Sequence, residues 1–127
     1  MARPSAKQLT ERELEVMHAF WEQPEMTAQE ARDQLAEKGI DRAYVTVANL
    51  ARILLEKGYL IAVNENRPFR YRPARSFEEF SRSFVGDLVE RVFLGSREML
   101  LVQLLGRKKL SRSEREMLRQ ILEEDES

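Results

Sequence analysis

One stretch of this chain gathers side chains suited to the edges of base pairs. No acidic residue lies between Asp41 and Glu56. If Val47, Leu50, Ala51 and Leu54 face a core at helical spacing, the opposite face presents Arg42, Val45, Thr46, Asn49, Arg52 and Ile53. Tyr44 stands at the start of the same helix and joins the candidates. Short polar groups near a helix N-terminus reach base edges, and flanking cations meet phosphates. Asn49 suits a bidentate pairing with adenine, the Val45 and Thr46 methyls suit a thymine methyl, and Arg52 suits guanine or a phosphate. A merely solvated helix face is usually richer in Glu and Lys.

A second cationic group follows. Arg67 stands in a polar five-residue tip, Asn64-Glu65-Asn66-Arg67-Pro68, and Arg70 and Arg72 alternate with Phe69 and Tyr71. Alternation is expected of any half-buried strand, but beside a basic helix it reads as a wing lying along a phosphate backbone. The charge distribution agrees. The net charge is −1, yet residues 42–75 carry seven Lys and Arg against two Glu, a net of +5, while both flanks are acidic. A basic island in a near-neutral chain marks a polyanion-facing surface.

Other chemistry finds little support. The absence of cysteine removes disulfides, zinc–thiolate sites and thiol nucleophiles. His18, the one histidine, falls at the edge of an apolar stripe without an obvious partner, and no Gly-rich phosphate loop or metal-ligand spacing occurs. No enzyme activity, cofactor or metal is therefore expected. The N-terminal MARPSAKQLTERE carries no apolar run, and no stretch approaches the ~18 apolar residues of a membrane span, so a soluble cytoplasmic protein is expected.

The elements that must position these residues are legible from their starts. Thr10 with Glu13, Thr27 with Glu30, Ser76 with Glu79 and Ser111 with Glu114 each match a capping box. The spacing predicts a first helix over 11–22, a second over 28–38 with Ala31, Leu35 and Ala36 inward, and a third from 42–44 to Lys57-Gly58. Strands follow at 59–63 and 69–72. Pro73-Ala74-Arg75 marks a boundary. Beyond it helices are predicted over 77–93, 97–105 and 112–123.

The expected fold is mostly α with a small β-hairpin wing. It comprises a winged helix-turn-helix DNA-binding domain over 1–75 and a C-terminal three-helix dimerisation segment over 76–127. Helix four is apolar on more than one side and helix five nearly throughout, more surface than three short helices hide among themselves. Phe80, Phe84, Leu88, Val92, Leu100, Leu101, Leu104, Leu118 and Ile121 are the expected dimer interface. The alternative is that the tail folds back on the winged domain of its own chain.

Several ordered segments together carry a resemblance: Leu9-Thr10-Glu11-Arg12-Glu13-Leu14-Glu15-Val16-Met17, Trp21, Thr46-Val47-Ala48-Asn49-Leu50-Ala51-Arg52, Leu55-Glu56-Lys57-Gly58-Tyr59-Leu60 and Tyr71-Arg72-Pro73. The chain resembles the penicillinase-repressor family (BlaI/MecI, with the CopY copper repressors as relatives). The resemblance implies a homodimeric repressor that binds a palindromic operator in double-stranded DNA through helix three and the wing, with interleaved tail helices. Members with a sensor protease are released by cutting at an Asn-Phe bond in the tail. The corresponding pair here is Gln103-Leu104, which separates the expectation of cutting from that of the same protease. The paired Cys-x-Cys motifs of the copper branch are absent, and Asn49 stands where many members have Thr. The competing reading, from another class, is a winged-helix protein-interaction adaptor without DNA binding; the basic island weighs against it.

Overall fold

The computed structural model describes residues 9–106 and 109–126. Among them lie α1 (Glu11–Glu22), β1 (Met26–Thr27), α2 (Ala28–Glu37), α3 (Tyr44–Glu56), β2 (Leu60–Ala62), β3 (Arg70–Pro73), α4 (Phe77–Arg91), α5 (Arg97–Leu105) and α6 (Arg112–Glu126). The fold is a winged helix-turn-helix followed by C-terminal helices. The chain divides into two compact units, 1–84 and 85–127, with the division inside α4.

Helix starts follow local chemistry. The Thr10 hydroxyl accepts from Glu13 N at 3.1 Å while the Glu13 carboxylate accepts from Thr10 N at 2.8 Å. Thr27 with Glu30, Ser76 with Glu79 and Ser111 with Glu114 repeat the arrangement. Each box satisfies amides that the helix itself leaves unpaired. α2 and α3 end on Gly39 and Gly58, both at φ +86°, a left-handed conformation that a Cβ disfavours.

Three features differ from the sequence reading. α4 stops at Arg91 and α6 runs on to Glu126. Ala36 is exposed while Gln34 is buried, which rotates the inner face of α2. The predicted hairpin is a three-stranded sheet of order β1-β3-β2, because Met26 pairs with Tyr71 and Thr27 with Arg70 on the far side of β3. Two residues are too few to show a period, so β1 leaves no pattern to read.

The core of the first unit joins α1, α2, α3 and the three strands. Val16, Met17 and Phe20 from α1 meet Met26, Ala31, Leu35, Val47, Ala51, Leu54, Leu60 and Tyr71. α3 is thus seated on α1 and α2 by one face only, leaving the other to solvent. A buried ion pair locks its far end: Lys57 Nζ lies 2.8 Å from the Glu13 carboxylate, whose side chain is 5% exposed. Burial would raise the Glu13 carboxyl, but the Lys57 ammonium and the Thr10 amide outweigh it and hold it below the usual glutamate range.

A lowered native pKa means stabilisation that is present above the carboxyl's unfolded range and lost as pH falls through the native value. Lys57→Met should therefore cost about 1–3 kcal/mol at neutral pH, and the deficit should shrink as pH falls through the carboxylate range and Glu13 protonates. Denaturant melts at pH 7 and pH 3.5 test this; an equal loss at both would show that the charge is not what matters.

Candidate nucleic-acid interface

Val45, Asn49, Arg52 and Glu56 stand at i, i+4, i+7 and i+11 and form one outward row along α3. Val45 is 74% exposed and Tyr44 47%. Thr46 is half-buried on one flank of the row, and Ala48 on the other. Within the row the side chains are joined. Arg52 Nη2 donates to Asn49 Oδ1 at 2.7 Å, and Arg52 Nη1 donates to Glu56 Oε1 at 2.8 Å.

The start of α3 is chemically unlike the other described helix starts. Its N-cap is Ala43, with no side-chain hydrogen bond, and its first turn holds no acid. The first turns of α1, α2, α4, α5 and α6 each contain at least one Glu. The positive end of the helix dipole is therefore left uncompensated at α3, which suits an approaching anion.

The wing is built by its own tip. Asn64 Oδ1 accepts from Arg70 N at 2.8 Å, and its Nδ2 donates to the carbonyls of Asn66 and Pro68 at 3.0 and 3.1 Å. Val63 N donates to Arg70 O at 2.9 Å and closes the hairpin. Asn64 thus folds the loop that carries exposed Arg67. Between the wing, α3 and the start of α2 lies a groove of about 690 Å³, bordered by Thr27, Gln29, Tyr44, Asn49, Arg52 and Arg67.

The candidate cations divide into two groups. Among the described residues, Arg67 and Arg72 form no salt bridge, and both are exposed. Arg42 and Arg70 are engaged within the domain. Arg42 Nε and Nη2 meet the two Glu15 carboxylate oxygens at 3.1 and 3.2 Å, tying the approach to α3 onto α1. Arg70 Nη1 meets Glu30 at 3.1 Å, its Nη2 donates to Glu25 O at 3.2 Å, and its Nε lies 3.8 Å from the Glu25 carboxylate. The Thr27 amide and then Arg70 hold the Glu30 carboxyl below its ordinary range. These two arginines are engaged by acids of α1, α2 and the loop before β1, whereas the sequence reading placed them among the candidate DNA contacts. Their acidic partners lie 27 and 40 residues away, a proximity that no sequence spacing reveals.

The residues expected at a dimer interface are likewise split. Phe80 packs within its own chain, 4.9 Å from the Trp21 ring and 6.1 Å from Tyr59, and Phe84 stacks on Phe80 at 6.4 Å. Phe77 lies 5.2 Å from Trp21, whose Nε1 donates to Arg75 O at 3.0 Å. For the first two turns of α4, the fold-back alternative is the one observed. In the second unit Val89 alone is buried among the described residues. Leu88, Leu100 and Leu118 are half-buried, and Val92, Leu101, Leu104 and Ile121 are 47–65% exposed. Gln103 and Leu104 both lie exposed on α5.

No three His, Asp or Glu side chains among the described residues are placed to hold a metal ion, and no described helix is long and apolar enough to cross a membrane. A bare recognition-type helix beside a basic wing defines a DNA-binding transcription regulator of the winged helix-turn-helix class. A family model described as Penicillinase repressor matches residues 9–124. The chain belongs to that family, whose members are transcriptional repressors rather than enzymes. Comparison with curated proteins finds no match.

Proposed function

We propose that the protein is a homodimeric repressor acting on a dyad-symmetric operator in double-stranded DNA. Each subunit lays the outward row of α3 in the major groove and rests the wing, through Arg67, on the neighbouring backbone. The observation that carries this reading is the α3 face itself: exposed Val45, Asn49 and Arg52, an uncompensated helix start, and no acid before Glu56. Arg42 and Arg70 act behind it, fixing the two elements through Glu15 and Glu30.

The second copy is assigned to residues 85–127. No residue of α5 or α6 is buried, although Leu101, Val102, Leu104, Ile121 and Leu122 are apolar. Apolar surface on this scale is stable in water only when something covers it, and a symmetric partner offers the same helices in return. Release then follows from loss of the dimer. The exposed Gln103–Leu104 pair on α5 is the assigned cutting point for a sensor protease or another peptidase.

Selection of bound duplexes from random DNA tests the reading. The expected motif is an inverted repeat with half-sites about one helical turn, ~10 base pairs, apart. Enrichment of no duplex would favour the adaptor reading, and an asymmetric motif would sink the dimer.

A further inference from the structure

The hydrogen bonds along α3 decide which edge of a base the helix can meet, and this deepens the operator-binding reading on which it rests. Arg52 has five N–H donors and no acceptor. The atom of Asn49 that faces it at 2.7 Å is therefore the carbonyl oxygen, with no ambiguity about the orientation of the amide. One of the two lone pairs of the Asn49 oxygen is thereby taken, and its Nδ2 amino group is the end directed elsewhere. Bidentate pairing of asparagine with adenine needs that same oxygen to accept from the adenine amino group. Held to Arg52, that oxygen would have to be shared between the guanidinium and the base, which favours the Nδ2 donor as the base contact. What the two residues offer most readily together is donors: Asn49 Nδ2 and the remaining N–H groups of the Arg52 guanidinium.

A donor-only reader matches an acceptor-only edge. In the major groove guanine presents N7 and O6, both acceptors, whereas adenine places a donor beside its N7. Glu56 completes the arrangement from the other side. Its carboxylate, one turn beyond Arg52, takes Nη1 at 2.8 Å, so the guanidinium lies along the helix between two oxygens. That double tether limits the rotamers from which Arg52 would otherwise reach out to a phosphate. Glu56 is the one acid of the α3 row, and this is a role for it there.

We propose that Asn49 and Arg52 act as one donor-only reader of guanine, held in register by Glu56 as a positioning residue. The specificity of α3 is then a property of three linked side chains and not of Asn49 alone.

The test uses the full chain and the duplex selected from random DNA. The base pair whose identity responds to Asn49→Ala should be a G·C pair in each half-site. Replacing its guanine by adenine, or by 7-deazaguanine, which lacks only the N7 acceptor, should weaken binding by about tenfold or more. Arg52→Ala should remove discrimination at that same pair, and the two substitutions together should cost no more than either alone. Glu56→Ala should narrow the preference for guanine over adenine while leaving affinity for a scrambled duplex unchanged or raised, which a merely structural role would not do. Adenine at the Asn49-dependent position, or Asn49 and Arg52 governing different base pairs, overturns the proposal but leaves operator binding intact. A chain that selects no duplex at all overturns both.

Discussion

A fragment of residues 1–84 is expected to fold, to be monomeric at micromolar concentration, and to bind the operator ~100-fold or more weakly than the full chain. The boundary is chosen from the packing. A fragment ending at Arg75 would strip Phe77 and Phe80 from Trp21 and Tyr59, so a lost fold would be confused with a lost partner. With 84 residues the whole buried core and the aromatic cover are retained. What disappears is the helical unit with the exposed apolar residues of α5 and α6. A linked second half-site turns the second binding event into an intramolecular one, and its loss costs the corresponding effective concentration. Sedimentation and operator titration of both chains measure the effect. A chain ending at Gln103 forms the intermediate arm, because it lacks α6 and the end of α5. If that chain keeps full affinity and remains dimeric, release by cutting at Gln103–Leu104 is ruled out. If residues 1–84 sediment as a dimer, the interface has been placed in the wrong unit.

Val45→Glu should separate folding from DNA binding most sharply. Val45 is 74% exposed in the first turn of α3, so the substitution removes no buried contact. A glutamate is a better helix former than valine and compensates the positive end of the dipole, together contributing about 0.3–1 kcal/mol of stability. Against DNA the same charge faces phosphates. At ~4–6 Å and an effective dielectric near 20 the repulsion is about 3–4 kcal/mol, or ~100-fold or more in affinity. The expected result is a protein that melts at the same or a higher temperature yet no longer binds the operator. Retained affinity would mean that the N-terminal half of the α3 row does not meet DNA. Arg67→Ala offers a milder contrast, weakening all duplexes alike through the loss of one phosphate contact per subunit.

The aromatic seam at Trp21 shows why the start of α4 differs from the rest of the tail. Phe77, Phe80 and Phe84 follow the same spacing as Leu88, and by periodicity alone they form one continuous row. Trp21 and Tyr59 interrupt that equivalence by taking the first part of the row into their own domain. Phe77 and Phe84 keep 47% and 43% of their surface exposed, and the larger apolar exposure lies from residue 85 onward.

By itself the sequence determined what depends on residues within about one helical turn of each other. The four capping boxes, the end of α3 at Gly58, the outward row of α3 and the basic island between Arg42 and Arg75 all belong to this kind. The chemistry is local there: a hydroxyl or carboxylate reaches an amide three residues away in almost any tertiary setting. The Arg52 link to Asn49 and Glu56 is local as well, and its spacings of three and four residues were open to reading; only the choice of which oxygen the guanidinium takes required coordinates. Tertiary structure alone decided the rest. β1 exists because β3 lends it hydrogen bonds, Arg42 and Arg70 are engaged because the fold brings Glu15 and Glu30 beside them, and Phe80 turns inward because Trp21 is there to receive it. A side chain's chemical type states what it is able to bind. Which partner it meets depends on chain topology, since residues 27 or 40 positions apart carry no mark of nearness until the core has closed between them.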